Sequence, residues 1–385
     1  MLIAEKANTE QHSHQPSEAG TKPAVYKKNK ESKTMNNIIT DFLKEKRYIL
    51  ADGATGTNLF SMGLQTGDSP EFWNADHPDR VTRHYESFIE AGSDLVLTNT
   101  FGGNRYRLQL HNGEERVKEL NERAAALLRE AVDKSGRKVI VAGDIGPTGE
   151  IFEPAGTLTI EAATEAFAEQ AQALADGGAD IIWIETLSSL EEAQAAFLGA
   201  KTTGLPVVFS MSIDTNGRTM MGVTAADIVK LASEMLPDLT GCGTNCGVGA
   251  AEVVAAMMNM KKSCTEFPEP PALIAKANCG IPEYIDGKIV YNGTPELMGR
   301  YAQLAFDAGA SIIGGCCGTS PDHIRAMKKA LDGYDRGPVP TLDEIVAELG
   351  EVSVGATSQL HGDMSVAGGS VSGATKRRSR RKRPA

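Results

Sequence analysis

Two cysteines stand side by side in Gly314-Gly315-Cys316-Cys317-Gly318-Thr319, directly after the strand-like run Ser311-Ile312-Ile313. A third, in Gly243-Thr244-Asn245-Cys246-Gly247, lies 70 residues earlier and also follows a short strand-like stretch. Three thiolates delivered by two strand ends can close around one Zn2+ and leave its fourth position open, the pattern of a catalytic rather than a structural site. Zinc held by three thiolates carries a net charge of −1. A thiol entering the open position would lose its proton yet stay electron-rich enough to attack, so the expected chemistry is thiol activation. Water activation usually relies on neutral imidazole ligands. The seven histidines offer no such cluster, with His12 and His14 near the start and His361 near the end.

Other readings of the cysteines stand beside this one. Cys316 and Cys317 could be small buried hydrophobes next to a tight turn. Cys242 and Cys246 have the spacing of half a zinc knuckle, but no second close pair completes it. Cys264 and Cys279 read as packing or loop residues. A second informative segment is Asp52-Gly53-Ala54-Thr55-Gly56-Thr57, whose backbone N–H groups could grip a carboxylate or a phosphate. It lacks the GxGxxG spacing of a dinucleotide site. Glu185, after Ile181-Ile182-Trp183-Ile184, could bind an ammonium group. Acid for an amine, amides for a carboxylate and metal for sulfur together describe a thiol amino acid.

These groups need a scaffold that brings distant strand ends together. Strand signals fall at Tyr48–Ala51, Asp94–Thr98, Lys138–Ala142, Asp180–Ile184, Pro206–Met211, Thr240–Thr244, Ala272–Ala275 and Ser311–Ile313, with helical periodicity between them. Eight strand-helix units predict an α/β fold, a (β/α)8 TIM barrel with its reactive groups at the C-terminal strand ends. At or just after those ends stand Asp52, Asn99, Asp144, Glu185, Ser212 with Asp214, Cys246, Asn278 and the Cys316-Cys317 pair. Any one of them could be a cap or turn residue; together they point to one pocket.

The domain reading is a disordered polar leader over 1–37, the barrel over 38–335, a short helical extension over 336–350, and a disordered tail over 351–385 ending in a basic run. Its seven Lys and Arg residues leave the remainder of the chain at −18 against −11 overall, so nucleic acid is an unlikely partner except through the tail. No stretch has the length of a membrane span, and the leader lacks the apolar centre of a secretory signal. Six cysteines without framework spacing suit a reducing compartment, so the expected location is the cytoplasm.

Asp52-Gly53-Ala54-Thr55-Gly56-Thr57, Thr98-Asn99-Thr100-Phe101, Trp183-Ile184-Glu185-Thr186, Gly243-Thr244-Asn245-Cys246 and Gly314-Gly315-Cys316-Cys317-Gly318-Thr319 resemble the zinc-dependent homocysteine S-methyltransferases. That family includes betaine-homocysteine methyltransferases and the homocysteine-binding module of methionine synthase. The resemblance spans about 48–331. It implies a zinc-bearing barrel with Cys246, Cys316 and Cys317 as ligands, and homocysteine surrounded by Asp52, Gly53, Ala54, Thr55, Asn99 and Glu185. The implied product is methionine.

The donor is less legible. Betaine or a similar methylated onium ranks first, with Phe72, Trp73, Phe101, Tyr106 and Trp183 as candidate faces for its cation. A separate methylcorrinoid protein or methyltetrahydrofolate system ranks second, since 385 residues leave no room for the further modules of complete cobalamin-dependent enzymes and no Asp-x-His-x-x-Gly motif occurs. S-methylmethionine ranks third. A non-catalytic, zinc-stabilised barrel acting as a binding scaffold is the alternative from another class. The oligomeric state is open, because only Thr341–Leu349 could stand where animal betaine enzymes carry a long dimerisation arm.

Overall fold

A computed structural model of the chain describes residues 37–363, apart from 266, 268–269 and 286–287. All of the leader except Asn37, and the basic run of the tail, lie outside the described residues. Eight parallel strands form the barrel: β1 (Ile49–Leu50), β2 (Leu95–Leu97), β3 (Ile140–Ile145), β4 (Ile181–Leu187), β5 (Val207–Met211), β6 (Leu239–Cys246), β7 (Ala272–Ala277) and, after a hairpin of β8 (Pro282–Ile285) and β9 (Lys288–Tyr291), β10 (Ile312–Gly315). β1 pairs with β10, and the bridge between Ala51 and Leu95 joins β1 to β2, which closes the sheet. Helices follow the strands as the periodicity predicts, among them Pro78–Ala91, Val117–Ser135, Ile160–Asp176 and Pro295–Asp307. Several begin on a Thr or Ser whose hydroxyl accepts a first-turn N–H, such as Thr159, Ser189 and Thr294.

The alternation of strand side chains sorts the core into two layers. Ile140 and Ala142, Ile181 and Trp183, Val208, Ile274 and Ile312 fill the barrel interior, while their neighbours pack outward against the helices. The same alternation carries Asp144, Glu185, Ser210 and Lys276 into the next inward layer, at the C-terminal mouth. The bottom is plugged by the helix Ile38–Glu45, whose Ile39 and Phe42 join the interior cluster and whose first turn is capped by Asn37.

Two features differ from expectation. The β8–β9 hairpin went unforeseen, although Asp286-Gly287 between two β-prone runs has hairpin composition. The expected disorder from Glu351 is overturned for residues 351–363. Val354–Leu360 is a helix, docked by the Ser353 N–H on Glu252 Oε1 at 2.7 Å and by Gln359 Nε2 on the Asn216 carbonyl at 2.9 Å. Small residues on both sides let it lie close: a Cβ on Gly355 would sit 2.5 Å from the Asn216 Cβ, and one on Gly217 3.0 Å from the Ala356 Cα. The helix Leu342–Leu349 of the extension is held by Arg300, 2.8 Å from Glu344 and 3.4 Å from Glu348.

Candidate active site

A cleft of about 440 Å³ opens at the C-terminal mouth, lined by residues that follow β1 and β2 and by the ends of β3, β4, β6, β7 and β10. On one side Cys246, Cys316 and Cys317 converge, with all three Sγ atoms within 4.8 Å of one another. The Cys246–Cys317 separation of 3.7 Å matches the ~3.8 Å expected for two sulfurs around a tetrahedral ion with ~2.3 Å metal–sulfur bonds. Hydrogen bonds from Cys246 and Cys316 draw the Cys317 thiol down to about 3, while its bonds to the other two sulfurs push Cys246 up. One sulfur ionises readily and its neighbours keep their protons, so three thiolates together require a cation among them. The donor set therefore fits zinc: three soft ligands, no fourth His, Cys, Asp or Glu among the described residues, and a cleft on the open side.

The backbone is bent to make this cluster. Cys246 takes φ 62°, which turns its side chain out of the β6 alternation. Asn278, at the end of β7, clamps the two cysteine segments together: its Nδ2 donates to the Gly247 carbonyl at 2.7 Å and its Oδ1 accepts the Cys317 N–H at 3.0 Å. Gly318, at φ 79°, leaves room for the Tyr291 ring, whose Cγ would lie 2.3 Å from any Cβ there.

Across the cleft floor lies a buried charge network. Lys276, 1% exposed, sits 3.2 Å from Asp52 Oδ1 and 3.7 Å from Glu185 Oε2, and over the Trp183 ring at 5.3 Å. Burial opposes its charge, but Asp52 and then Glu185 more than offset this, and its pKa lies above the ordinary lysine value. Burial pushes Glu185 up to about 7 and holds Asp144 well above the usual carboxylate range, with Glu185 the next cause for Asp144.

Of the residues expected around the substrate, Gly53, Ala54, Thr55, Asn99 and Glu185 line the cleft. The Ala54 N–H is committed to the Thr319 carbonyl at 3.1 Å, whereas no bond among the described residues takes up those of Gly53 and Thr55. Gly53 has to be glycine, since a Cβ would meet that same carbonyl oxygen at 2.6 Å. Asn99 spends its amide nitrogen on Pro70 and Asn74, at 2.8 and 2.9 Å. Asp52 lies beneath the floor: it is 0% exposed, with Oδ2 accepting the Leu97 N–H at 2.8 Å and Oδ1 facing Lys276. Ser212 and Asp214 are not among the lining residues.

Two site residues escaped the sequence reading. Lys276 stands two positions after the inward-facing Ile274, and a lysine in the run Ala-Leu-Ile-Ala-Lys-Ala is the signal that could have found it. Asn245 had no such signal, because the groups its amide bonds, Thr186 of β4 and Ser210 of β5, come from other strands.

Residues 49–331 match the sequence model of the family described as homocysteine S-methyltransferase. The chain belongs to the homocysteine S-methyltransferase family. Membership makes it a methyltransferase and sets aside the scaffold reading. This family member is 30% identical over 319 residues to methionine synthase of Mycobacterium leprae, covering 78% of the chain and 26% of that relative. It is also 30% identical over 315 residues to methionine synthase of Mycobacterium tuberculosis, covering 77% and 26%. The chain thus spans about a quarter of the length of these relatives. The homocysteine methyltransferase MmuM of Escherichia coli shares the fold: its oxidised form superposes with a TM-score of 0.64 at 23% identity and its metallated form with 0.64 at 22%, each covering 76% of this chain and 99% of MmuM.

Proposed function

We propose that this barrel transfers a methyl group to the sulfur of homocysteine, giving methionine, with Cys246, Cys316 and Cys317 holding zinc. The observation that carries the reading is the convergence of three cysteine sulfurs in a cleft whose lining also offers the unengaged N–H groups of Gly53 and Thr55 and the carboxylate of Glu185. Bound to those sulfurs, zinc would supply the Lewis acidity that lets a thiol give up its proton at neutral pH. The N–H groups of Gly53 and Thr55 hold the substrate carboxylate, and Glu185 takes its ammonium group. Held by those two groups, the substrate is left with its thiol free to meet the cysteines. The sulfur lone pair forms the new bond to carbon as the donor–methyl bond breaks with its electrons staying on the donor. Fixing both partners in line is worth about 7–11 kcal/mol in favourable cases.

For the donor, the cleft favours a methyl group brought by a methylcorrinoid or methyltetrahydrofolate system over a betaine-like onium. An onium needs open aromatic faces. Of the five aromatic residues considered, only Phe101 lines the cleft, joined there by Phe60. Three of the others already carry cations of this chain: Arg116 over Phe72 at 5.3 Å, Arg80 over Trp73 at 4.9 Å and Lys276 over Trp183. Arg107 on the cleft wall adds positive charge that an onium would avoid. The methionine synthase relatives support the same choice.

No described helix is long and apolar enough to cross a membrane, and all six cysteines are free thiols. A cytoplasmic location is part of the proposal. The test is zinc-loaded protein supplied with homocysteine and, in turn, a methylcorrinoid protein, methyltetrahydrofolate, betaine and S-methylmethionine, with methionine measured. Methionine from the first or second supports the reading, methionine from betaine alone overturns the donor choice, and none from any donor overturns the function.

A further inference from the structure

The cleft wall built by the segment after β2 carries a cation with nothing to neutralise it. Arg105–Leu108 and Gln109–His111 run on as consecutive helical turns, which puts Arg107 and His111 four residues apart on one face, and both line the cleft. The arginines on either side of them in the chain are taken: Arg105 pairs with Glu169 and Arg116 with Glu119, each at 2.8 Å. The Arg107 guanidinium makes no hydrogen bond or ion pair among the described residues. It is half-buried, and none of its nitrogens is among the buried, unpartnered atoms, so its donors stay open to solvent. Glu71, an acid on the same lining, is not free to turn to it, because Oε1 accepts the Gly102 N–H at 2.6 Å and Oε2 accepts from Ser69 Oγ. The platform under Arg107 is fixed. Asn104, 0% exposed, accepts the Arg107 N–H at 3.1 Å and donates Nδ2 to the Pro147 carbonyl at 3.3 Å, and Gly149, at φ 81°, leaves a seat where a Cβ would lie 3.1 Å from Arg107 Nη1.

An arginine stays charged at any working pH, and its planar fork of donors grips a carboxylate or phosphate through two parallel bonds. Held on a concave wall without a carboxylate of its own, it is a receptor for an oxyanion. The homocysteine reading has no use for it, since that substrate's carboxylate goes to the Gly53 and Thr55 amides and its ammonium group to Glu185. The open cation is left for the second substrate. We infer that Arg107, with His111 as an auxiliary donor, forms an anion subsite that holds a carboxylate or phosphate group carried by the methyl donor. The inference rests on the methyl-transfer reading above and deepens it on the donor side: the cleft takes the donor by a charged group remote from the reacting methyl.

The experiment is calorimetry on the zinc-loaded full chain with homocysteine bound, as wild type, Arg107→Lys and Arg107→Met, using two pairs of probes. Methylcobalamin is compared with methylcobinamide, which lacks the phosphodiester, and 5-methyltetrahydrofolate with the same methylated tetrahydropterin ring lacking the glutamate-bearing tail. Wild type is expected to prefer the anionic member of one pair, and the pair that responds tells phosphate from carboxylate. Arg107→Met should lose about ten-fold of that preference, the scale of a charge-assisted hydrogen bond, and Arg107→Lys should keep part of it, as a point charge without the fork. If wild type prefers neither anionic probe, or Arg107→Met keeps the full preference, the anion subsite fails and the homocysteine reading stands. Homocysteine binding is measured on the same three proteins and is expected to be equal. Weaker homocysteine binding by Arg107→Met would move Arg107 to the amino-acid substrate and overturn the inference, and no homocysteine binding by wild type would overturn the underlying reading and this inference with it.

Discussion

The side chain of Asn245 is bonded twice to Thr186: its Oδ1 accepts the Thr186 backbone N–H at 2.9 Å, and its Nδ2 donates to the Thr186 hydroxyl at 2.7 Å. Thr186 needs this hold, because a β-branched residue at φ 63° is strained, and the β4–β5 register breaks between Ile184 and Leu187. The bend directly follows Glu185, one of the cleft-lining carboxylates. Asn245 also accepts from Ser210 Oγ at 2.8 Å and directs Nδ2 toward Cys316 Sγ at 3.9 Å. One fully buried amide thus links the carboxylate side of the site to the sulfur side.

Asn245→Ala should therefore weaken both sides together. Leaving buried groups of Thr186 and Ser210 unmatched costs about 1–3 kcal/mol, read as a lower midpoint in denaturant. Zinc should pass to a competing chelator faster than from wild type. A variant with unchanged midpoint and unchanged zinc release would show the link to be incidental.

Replacing Cys246, Cys316 or Cys317 by alanine should abolish tightly held zinc and turnover together, while the barrel stays folded by circular dichroism. The three sulfurs share one centre, so each loss should be near-complete rather than graded. Full zinc content in any of the three would remove that residue from the ligand set.

Lys276→Met should destabilise by about 3–5 kcal/mol, because it strands the carboxylates of Asp52 and Glu185 without their buried cation. Adding Asp52→Asn should recover part of the loss. Thermal unfolding of the two single variants and the double variant forms the cycle, and strict additivity would argue against the pair.

Burial holds the Glu185 carboxyl up to about 7, so below that pH it keeps its proton and cannot pair with an ammonium group. Homocysteine affinity should rise by about ten-fold between pH 6 and pH 8 from this one group, and Glu185→Gln should bind more weakly and lack that part of the slope. Identical slopes in the two proteins would count against the assignment. Linkage gives stability the opposite trend. The folded protein keeps this proton up to about pH 7 while the unfolded chain releases it near the ordinary value of 4.5, so stability falls as pH rises across that window.

What the residues determined alone was the periodic part. Apolar runs alternating with helical faces announced a parallel barrel, and in a barrel the strand ends share one mouth whatever their distance in the chain. That is why Cys246 and Cys316-Cys317 could be joined across 70 positions from motif and topology alone. Lys276 was legible in principle, through its parity with Ile274, but a lone lysine in an apolar strand gives no hint of its partners.

Tertiary structure alone decided which groups still have hydrogen bonds to give. Asp52 and Asp144 look alike in sequence, each polar at a strand end beside glycine or isoleucine. Packing gives Asp52 a lysine and a backbone N–H, and leaves the buried Oδ1 of Asp144 without a hydrogen-bond partner among the described residues. The aromatic faces divided in the same way, since whether a ring is open to a ligand depends on which of the chain's own cations folds over it. Periodicity is a local property and can be read along a strand. Partnership depends on side chains that are far apart in the chain and meet only when the barrel closes.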